Sequence, residues 1–366
     1  MFIRAGGCAV LRDAMMFHAS TDENPSKRIA LGRDFLNQLG AVTNAGTAYG
    51  QMLRHEATSM AQHEDYYITH EYLEINNDPC YVKDFLEKLK VFDLSFLTEA
   101  DVHLTIAENF GAETGQLLRT LSDNNHDRME QYIDFLTGRT FRQSILVRRE
   151  RANDIQRNLK PDAIRDLHLS TKVSPDPHEV DGRFVFKDAA GKTLTTSSSS
   201  VRDAVQKLAQ LWPLTASPST LTDDETPTGT SAEITNALFT MVLAGLADIS
   251  TVPVVAGAEI ADRPRAAELA RFDARSGYSW TTNVRHETVH LNLVQRAVLP
   301  LLDGSHDRKA ISVSLQKLVD SGDLQFSRAG EPLTEPTAIT DAIDEHIDAA
   351  LNVFRKTALL MSAEAA

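Results

Sequence analysis

Cysteine is nearly absent from these 366 residues, with only Cys8 and Cys80, in separate segments. Two isolated thiols form no disulfide framework and no Cys-x-x-Cys motif, so buried thiols in a reducing, cytoplasmic setting are expected. Long hydrophobic runs are lacking too. No stretch of about 18 apolar residues could span a bilayer, and the N-terminus has one arginine but no apolar region of signal length, so no membrane partner is expected. Positive charge is scarce: 37 lysines and arginines stand against 51 aspartates and glutamates, a net charge of −14. Phosphate contacts dominate nucleic-acid affinity, so nucleic acid is disfavoured as a partner. A Gly-x-Ser-x-Gly elbow and a phosphate loop of the Gly-Lys-Ser type are also missing.

What remains is a globular chain, 42% hydrophobic, with helices dominating its first half. The pattern predicts an α+β, mostly helical fold in three parts, residues 1–155, 156–255 and 256–366. Asn24-Pro25 supplies a cap and first-turn proline for a helix with Ile29, Phe35, Leu36 and Leu39 inward and Gly40 as its end. Thr47 to Glu64 reads as helix. Tyr81, Val82, Phe85, Leu86 and Leu89 form one stripe of a 3.6-residue repeat, so that face is buried. A helix from Asp127 to Thr137 ends at Gly138. Phe141 to Arg151 mixes apolar residues with arginines and reads as a strand whose outer residues meet carboxylates, ahead of an anion-binding patch.

Beyond Pro161 the composition shifts. Arg183-Phe184-Val185-Phe186 and Lys192-Thr193-Leu194-Thr195-Thr196 flank a glycine turn and predict a β-hairpin. Ser197 to Ser200 then cap a helix with Val201, Val205, Leu208, Ala209 and Trp212 as its stripe and Pro213 as its stop. A polar linker over residues 216–231, a helix over 232–248, a β-favouring run Tyr278 to Val284 and three further helices (293–302, 308–321 and 339–360) complete the chain.

Three ordered blocks carry a resemblance. Leu11 to His18, then His70-Glu71-Tyr72-Leu73-Glu74 with its Asn-Asp-Pro break, Phe85 and Leu97 to Asp101, then Tyr132 to Leu146 resemble the regulatory domain of a family of bacterial S-adenosylmethionine-dependent methyltransferases. Asn283 to Glu287 and Leu301 to Gly304 resemble that family's small C-terminal winged-helix-like domain. The resemblance implies a regulatory or substrate-positioning part of a methyltransferase, with a protein as the substrate and a catalytic subunit or domain as the partner. In that family a nucleotide-type catalytic fold precedes this region. The chain offers no strand-then-glycine cofactor loop, since Gly111 to Gly115 lie in a polar helical stretch and Gly257 stands alone. The implied expectation is no bound cofactor here, S-adenosylmethionine being held by a separate catalytic domain or partner. Arg12, Met15, Met16 and Phe17 would then be interaction candidates, against a catalytic partner or a second copy in a homodimer, unless they tuck into the domain's own core.

One motif looks catalytic. His286-Glu287-Thr288-Val289-His290 fits H-E-x-x-H, where two histidines one helical turn apart ligate zinc and the glutamate acts as base. That chemistry needs a helix, which brings the histidines to roughly 6 Å, whereas a strand holds them about 13 Å apart. The preceding residues favour strand, and no third ligand follows at a suitable distance. A zinc metallohydrolase is therefore an alternative behind the regulatory reading, and a winged-helix DNA-binding protein is another.

Overall fold

A computed structural model describes residues 6–20, 22, 24–177, 182–222, 227–328 and 330–362, with side chains from residue 10 onward. The fold is α+β and mostly helical, in two compact units, Met1–Arg157 and Asn158–Ala366.

The first unit begins with α1 (Gly6–Ala19), α2 (Pro25–Val42), α3 (Ala48–Gln62) and α4 (Asp65–Glu71). Asn24 starts α2 by accepting from the amides of Ser26 and Lys27, with Pro25 in the first turn. The helix does not stop at Gly40. That residue is buried, facing Arg54 of α3, and the end comes at Thr43. Leu11, Met15, Ile29, Leu36, Leu53, Met60, Ile68 and Leu73 form one buried cluster.

A second subset follows: α5 (Val82–Val91), β1 (Leu94–Glu99), α6 (Ala112–Ser122), α7 (His126–Thr137) and β2 (Ser144–Arg148). Val82, Leu86 and Leu89 of α5 pack with Phe96 of β1. Such burial stabilises by about 2 kcal/mol per side chain. Strands β1 and β2 pair antiparallel from Leu94↔Arg148 to Glu99↔Ser144, with a bulge between Phe96 and Thr98. Asn125 caps the start of α7, and Gly138 ends it in the left-handed conformation. Cys80 is half-buried.

The second unit has two cores. The first holds β3 (His168–Ser170), β4 (Ser174–Pro175), β5 (Phe184–Lys187), β6 (Thr193–Thr196), α8 (Ser199–Gln210), α9 (Pro218–Leu221), α10 (Thr228–Ala244) and β7 (Asp248–Ser250). The hairpin β5–β6 forms as its alternation requires, with Phe184 opposite Thr196. Phe186, Val201, Val205, Leu208 and Leu238 lie in this core. Trp212 is not part of the α8 stripe, because the helix ends at Gln210. The polar linker contains α9 and the first turn of α10; its residues 223–226 lie outside the described residues.

The other core holds α11 (Glu268–Arg275), β8 (Trp280–Thr282), β9 (Thr288–His290), α12 (Leu293–Val298), α13 (Arg308–Asp320), the short hairpin β10 (Ser327–Arg328) and β11 (Glu331–Pro332), and α14 (Pro336–Lys356). Two helices followed by a two-stranded wing give the winged-helix order. Ile343, Ile347, Leu351 and Phe354 of α14 are buried against Ile311 and Leu315 of α13. Beyond α14 the chain runs back along residues 257–266: the Gly257 amide donates to Leu360 O at 2.8 Å and the Met361 amide to Arg265 O at 2.8 Å. A Cβ on Gly257 would stand 2.8 Å from Met361 O, so only glycine fits there.

Candidate functional site

The H-E-x-x-H segment folds as a hairpin and not as a helix. Asn283 closes it: its Oδ1 accepts from the amides of Arg285 and Glu287 at 2.8 and 2.9 Å. Its Nδ2 donates to Glu287 Oε2 at 2.8 Å and to Thr357 O, just past α14, at 2.9 Å. His286 takes a positive φ of 60° at the turn, and His290 lies on β9 opposite Trp280. Strand geometry separates the histidines, so the constellation that zinc hydrolysis requires is not assembled. Among the described residues no group of three or more His, Cys, Asp or Glu side chains could hold a metal ion.

The motif's residues instead build an ionic node. Glu287 Oε1 accepts from Lys172 Nζ at 3.1 Å and lies 3.7 Å from Arg285 Nε. Both cations stand 4.4 Å from the centroid of the Trp212 ring. A cation over an indole face is attracted by about 0.5–2 kcal/mol. Arg285 also donates to Ser170 Oγ at 2.9 Å and Pro213 O at 3.3 Å. Hydrogen bonds from Asn283 and Lys172 overcome burial and hold the Glu287 carboxyl below its usual pKa, so it is an anion and no general acid. The Trp212 indole donates to Lys356 O at 2.8 Å, so two side chains satisfy carbonyls at the end of α14. Beside this node opens a cavity of about 370 Å³, lined by Lys172, Ala209, Gln210, Trp212, Arg355 and Lys356 among others.

The first unit carries a buried ionic cluster that sequence reasoning missed. Arg142, expected among outward arginines of a strand, lies 3% exposed between three carboxylates. Its Nη1 donates to Glu99 Oε1 at 2.7 Å, its Nη2 to Asp134 Oδ1 at 2.7 Å and to Glu130 O at 3.0 Å. Glu99 is completed by the Gln143 amide at 2.9 Å and Ser144 Oγ at 2.8 Å. Glu130 is held by charge: Arg142 Nη1 is 2.9 Å and His126 Nε2 3.7 Å from its oxygens, neither aligned as a hydrogen bond. Burial pushes the Glu130 carboxyl up to about 7 and raises Asp134 as well. Burial, then Arg157 and Arg142, push His126 down to about 4. A signal was present in the sequence, because Glu130 and Asp134 stand four apart and so share one face of α7, where like charges need a cation. A second cavity of about 370 Å³ lies between α5 and β1, lined by Leu86, Leu89, Phe96, Asp127, Arg149 and Arg157 among others.

The structure separates the N-terminal candidates. Met15 has no exposure and is core. It therefore offers nothing to a partner: the i, i+4 stripe it shares with Leu11 and Ala19 turns inward. Met16 is half-buried, 3.7 Å from Arg28 Nη2. Arg12 donates to the Glu74 carbonyl, which ties α1 to the end of the α4 segment. Phe17 is 83% exposed. For the DNA-binding alternative, Arg308 at the start of α13 pairs with Asp344 and Asp348 of α14, which removes a cation from the helix a winged-helix protein would present.

The two glycine segments take other places in the fold. Gly111 is exposed at the start of α6, Gly115 packs against the Ala107 carbonyl, Gly257 is filled by residues 360 and 361, and every sheet among the described residues is antiparallel with two or three strands. A dinucleotide-type site needs glycine-led helix starts at the ends of parallel strands. No helix among the described residues is long and apolar enough to cross a membrane.

Comparison with known proteins agrees with this architecture. Residues 64–148 match the family described as predicted methyltransferase regulatory domain, and residues 262–359 that described as PKMT, C-terminal winged helix domain. The uncharacterized protein RP789 of Rickettsia prowazekii (strain Madrid E) is 25% identical over 369 residues, covering 96% of this chain and 66% of that protein. Two structures of PKMT2 from Rickettsia typhi share the fold. One superposes with a TM-score of 0.76 at 22% identity, and one in complex with AdoHcy with 0.80 at 21%; both cover 97% of this chain and 72% of the other.

Proposed function

We propose, for a chain that carries a methyltransferase regulatory domain over residues 64–148 and a PKMT-type C-terminal winged helix domain over residues 262–359, a non-catalytic role. The chain is the regulatory or substrate-positioning part of a cytoplasmic S-adenosylmethionine-dependent protein methyltransferase. The observation that supports this most is the presence of both domains in family order in one chain. In this reading the charged groups of the node at Glu287 and of the cluster at Arg142 serve the fold, since they pair with one another. S-adenosylmethionine is bound by a separate catalytic domain or subunit, and a protein is the substrate. Influence on catalysis then works through positioning the substrate or through differential contacts with two states of the catalytic domain.

Isothermal titration calorimetry of this chain with S-adenosylmethionine and S-adenosylhomocysteine is the test. No heat of binding is expected up to millimolar ligand. Micromolar binding to these 366 residues would overturn the division of labour.

A further inference from the structure

The cavity beside Trp212 has an unusual lining for a chain of net charge −14: Lys172, Arg355 and Lys356 converge on it and no carboxylate lines it. Arg355 and Lys356 occupy the last turn of α14 and form no ion pair with any described residue. Ala209 and the indole supply an apolar wall beside the cations. We propose that this cavity binds an acidic side chain of a peptide, the carboxylate against the three cations and the methylene arm against Trp212.

The node next to the cavity shows which anion such an arrangement accepts. Glu287 is a carboxylate on an alkyl arm, held by Lys172 and Arg285, the two cations stacked on Trp212. A peptide glutamate or aspartate entering from the cavity side would meet the same indole, with Arg355 and Lys356 beside Lys172. A polyphosphate is less suited. The cavity lies at the C-terminal ends of α8 and α14, whose carbonyl ends carry partial negative charge, and no helix start or glycine loop donates amides to it. One carboxylate offset by lateral cations is compatible with that field, while several phosphate charges are not. The inference rests on the preceding reading only in taking the peptide to be a segment of the methylation substrate; the binding itself is independent of methyl transfer.

The test is fluorescence anisotropy of an alternating Glu-Ala octapeptide carrying fluorescein, with its Gln-Ala counterpart, inorganic phosphate and a random DNA duplex as comparisons, on the full chain at low salt. The Glu-Ala peptide is expected to bind and the Gln-Ala peptide to bind at least tenfold more weakly. Arg355→Gln with Lys356→Gln, which leaves the Glu287 node untouched, should weaken the acidic peptide about tenfold, and Lys172→Gln should do so independently. In a Trp280→Phe background, which leaves Trp212 as the only tryptophan, peptide binding should change the emission. Equal affinity for the two peptides overturns the proposal, as does indifference to all three substitutions with the circular dichroism spectrum unchanged. Phosphate or duplex binding more tightly than the peptide, with the same sensitivity to the substitutions, replaces the peptide with a phosphate ligand and overturns it too. Because none of these readouts involves S-adenosylmethionine, their failure is separable from failure of the regulatory assignment.

Discussion

Replacing Glu130 by glutamine should tilt the pH dependence of the first unit's stability in one direction, and replacing His126 by asparagine in the other. Burial raises Glu130 from 4.5 to about 7 in the folded chain. Between those values the folded state holds more protons than the unfolded one, so this group's contribution is full below pH 4.5 and lost as pH rises through about 7, an effect of about 3 kcal/mol. His126 falls from 6.5 to about 4, so here the unfolded state holds more protons and stability is gained as pH rises from about 4 to 6.5. With the imidazole a quarter exposed, its contribution is about 2 kcal/mol. The two slopes oppose one another over most of the interval in the native chain. Relative to the native chain, the Glu130 variant should gain about 3 kcal/mol from pH 4.5 to 7, and the His126 variant should lose about 2 kcal/mol from pH 4 to 6.5. Asp134 is also raised, but it is present in both variants and drops out of the comparison. Intrinsic fluorescence cannot follow this, because Trp212 and Trp280 both lie in the second unit. A urea series at each pH, followed by a deuterium pulse at one fixed pH and mass spectrometry of the α7 peptide, reads the unit directly. Slopes of the same sign in the two variants, or a constant offset at every pH, would refute the reasoning.

Arg142→Met should destabilise the first unit by about 3–5 kcal/mol, because three buried carboxylates lose their shared cation, and the same exchange experiment measures it. Asn283→Ala removes the four hydrogen bonds that close the β8–β9 turn and anchor Thr357 O, and should cost about 2–4 kcal/mol in urea unfolding followed by tryptophan emission. Met15→Asp should unfold the α1–α4 cluster, whereas Phe17→Asp should leave its stability within about 0.5 kcal/mol, as circular dichroism melting would show. Should the Phe17 variant melt as early as the Met15 variant, the assignment of only one of these side chains to the core is wrong.

Helices with a single inward face could be read directly from the chain. Val82, Leu86 and Leu89 repeat at helical spacing and are buried at that spacing, and the hairpin of β5 and β6 shows the alternation of its sequence. The β-favouring run before His286 also foretold that H-E-x-x-H would not be helical. Three features depended on residues far apart in the chain. Arg142 is interior only because α7 and β1 deliver Glu130, Asp134 and Glu99 around it. Gly40 lies inside its helix with Arg54 from α3 alongside it. Trp212, placed in a helix stripe by periodicity, instead meets Lys172, Arg285 and the end of α14. Local propensity contains none of these partners, and tertiary packing decided each case.

The return of residues 357–361 along residues 257–266 separates inheritance from autonomy. The family match over 262–359 stops short of Gly257 on one side and of Leu360 and Met361 on the other. A chain excised at those limits would lose the Gly257 amide from Leu360 O, Met361 from Arg265 O, and the Trp212 indole from Lys356 O. The Lys356 carbonyl at the end of α14 would be left to solvent, and Leu360, buried in the intact unit, would be cut away altogether. An expression fragment meant to behave as the native winged helix must therefore start upstream of Gly257 and run past Met361, with the Trp212 segment present as well. The matched stretch is here smaller than the body that packs together.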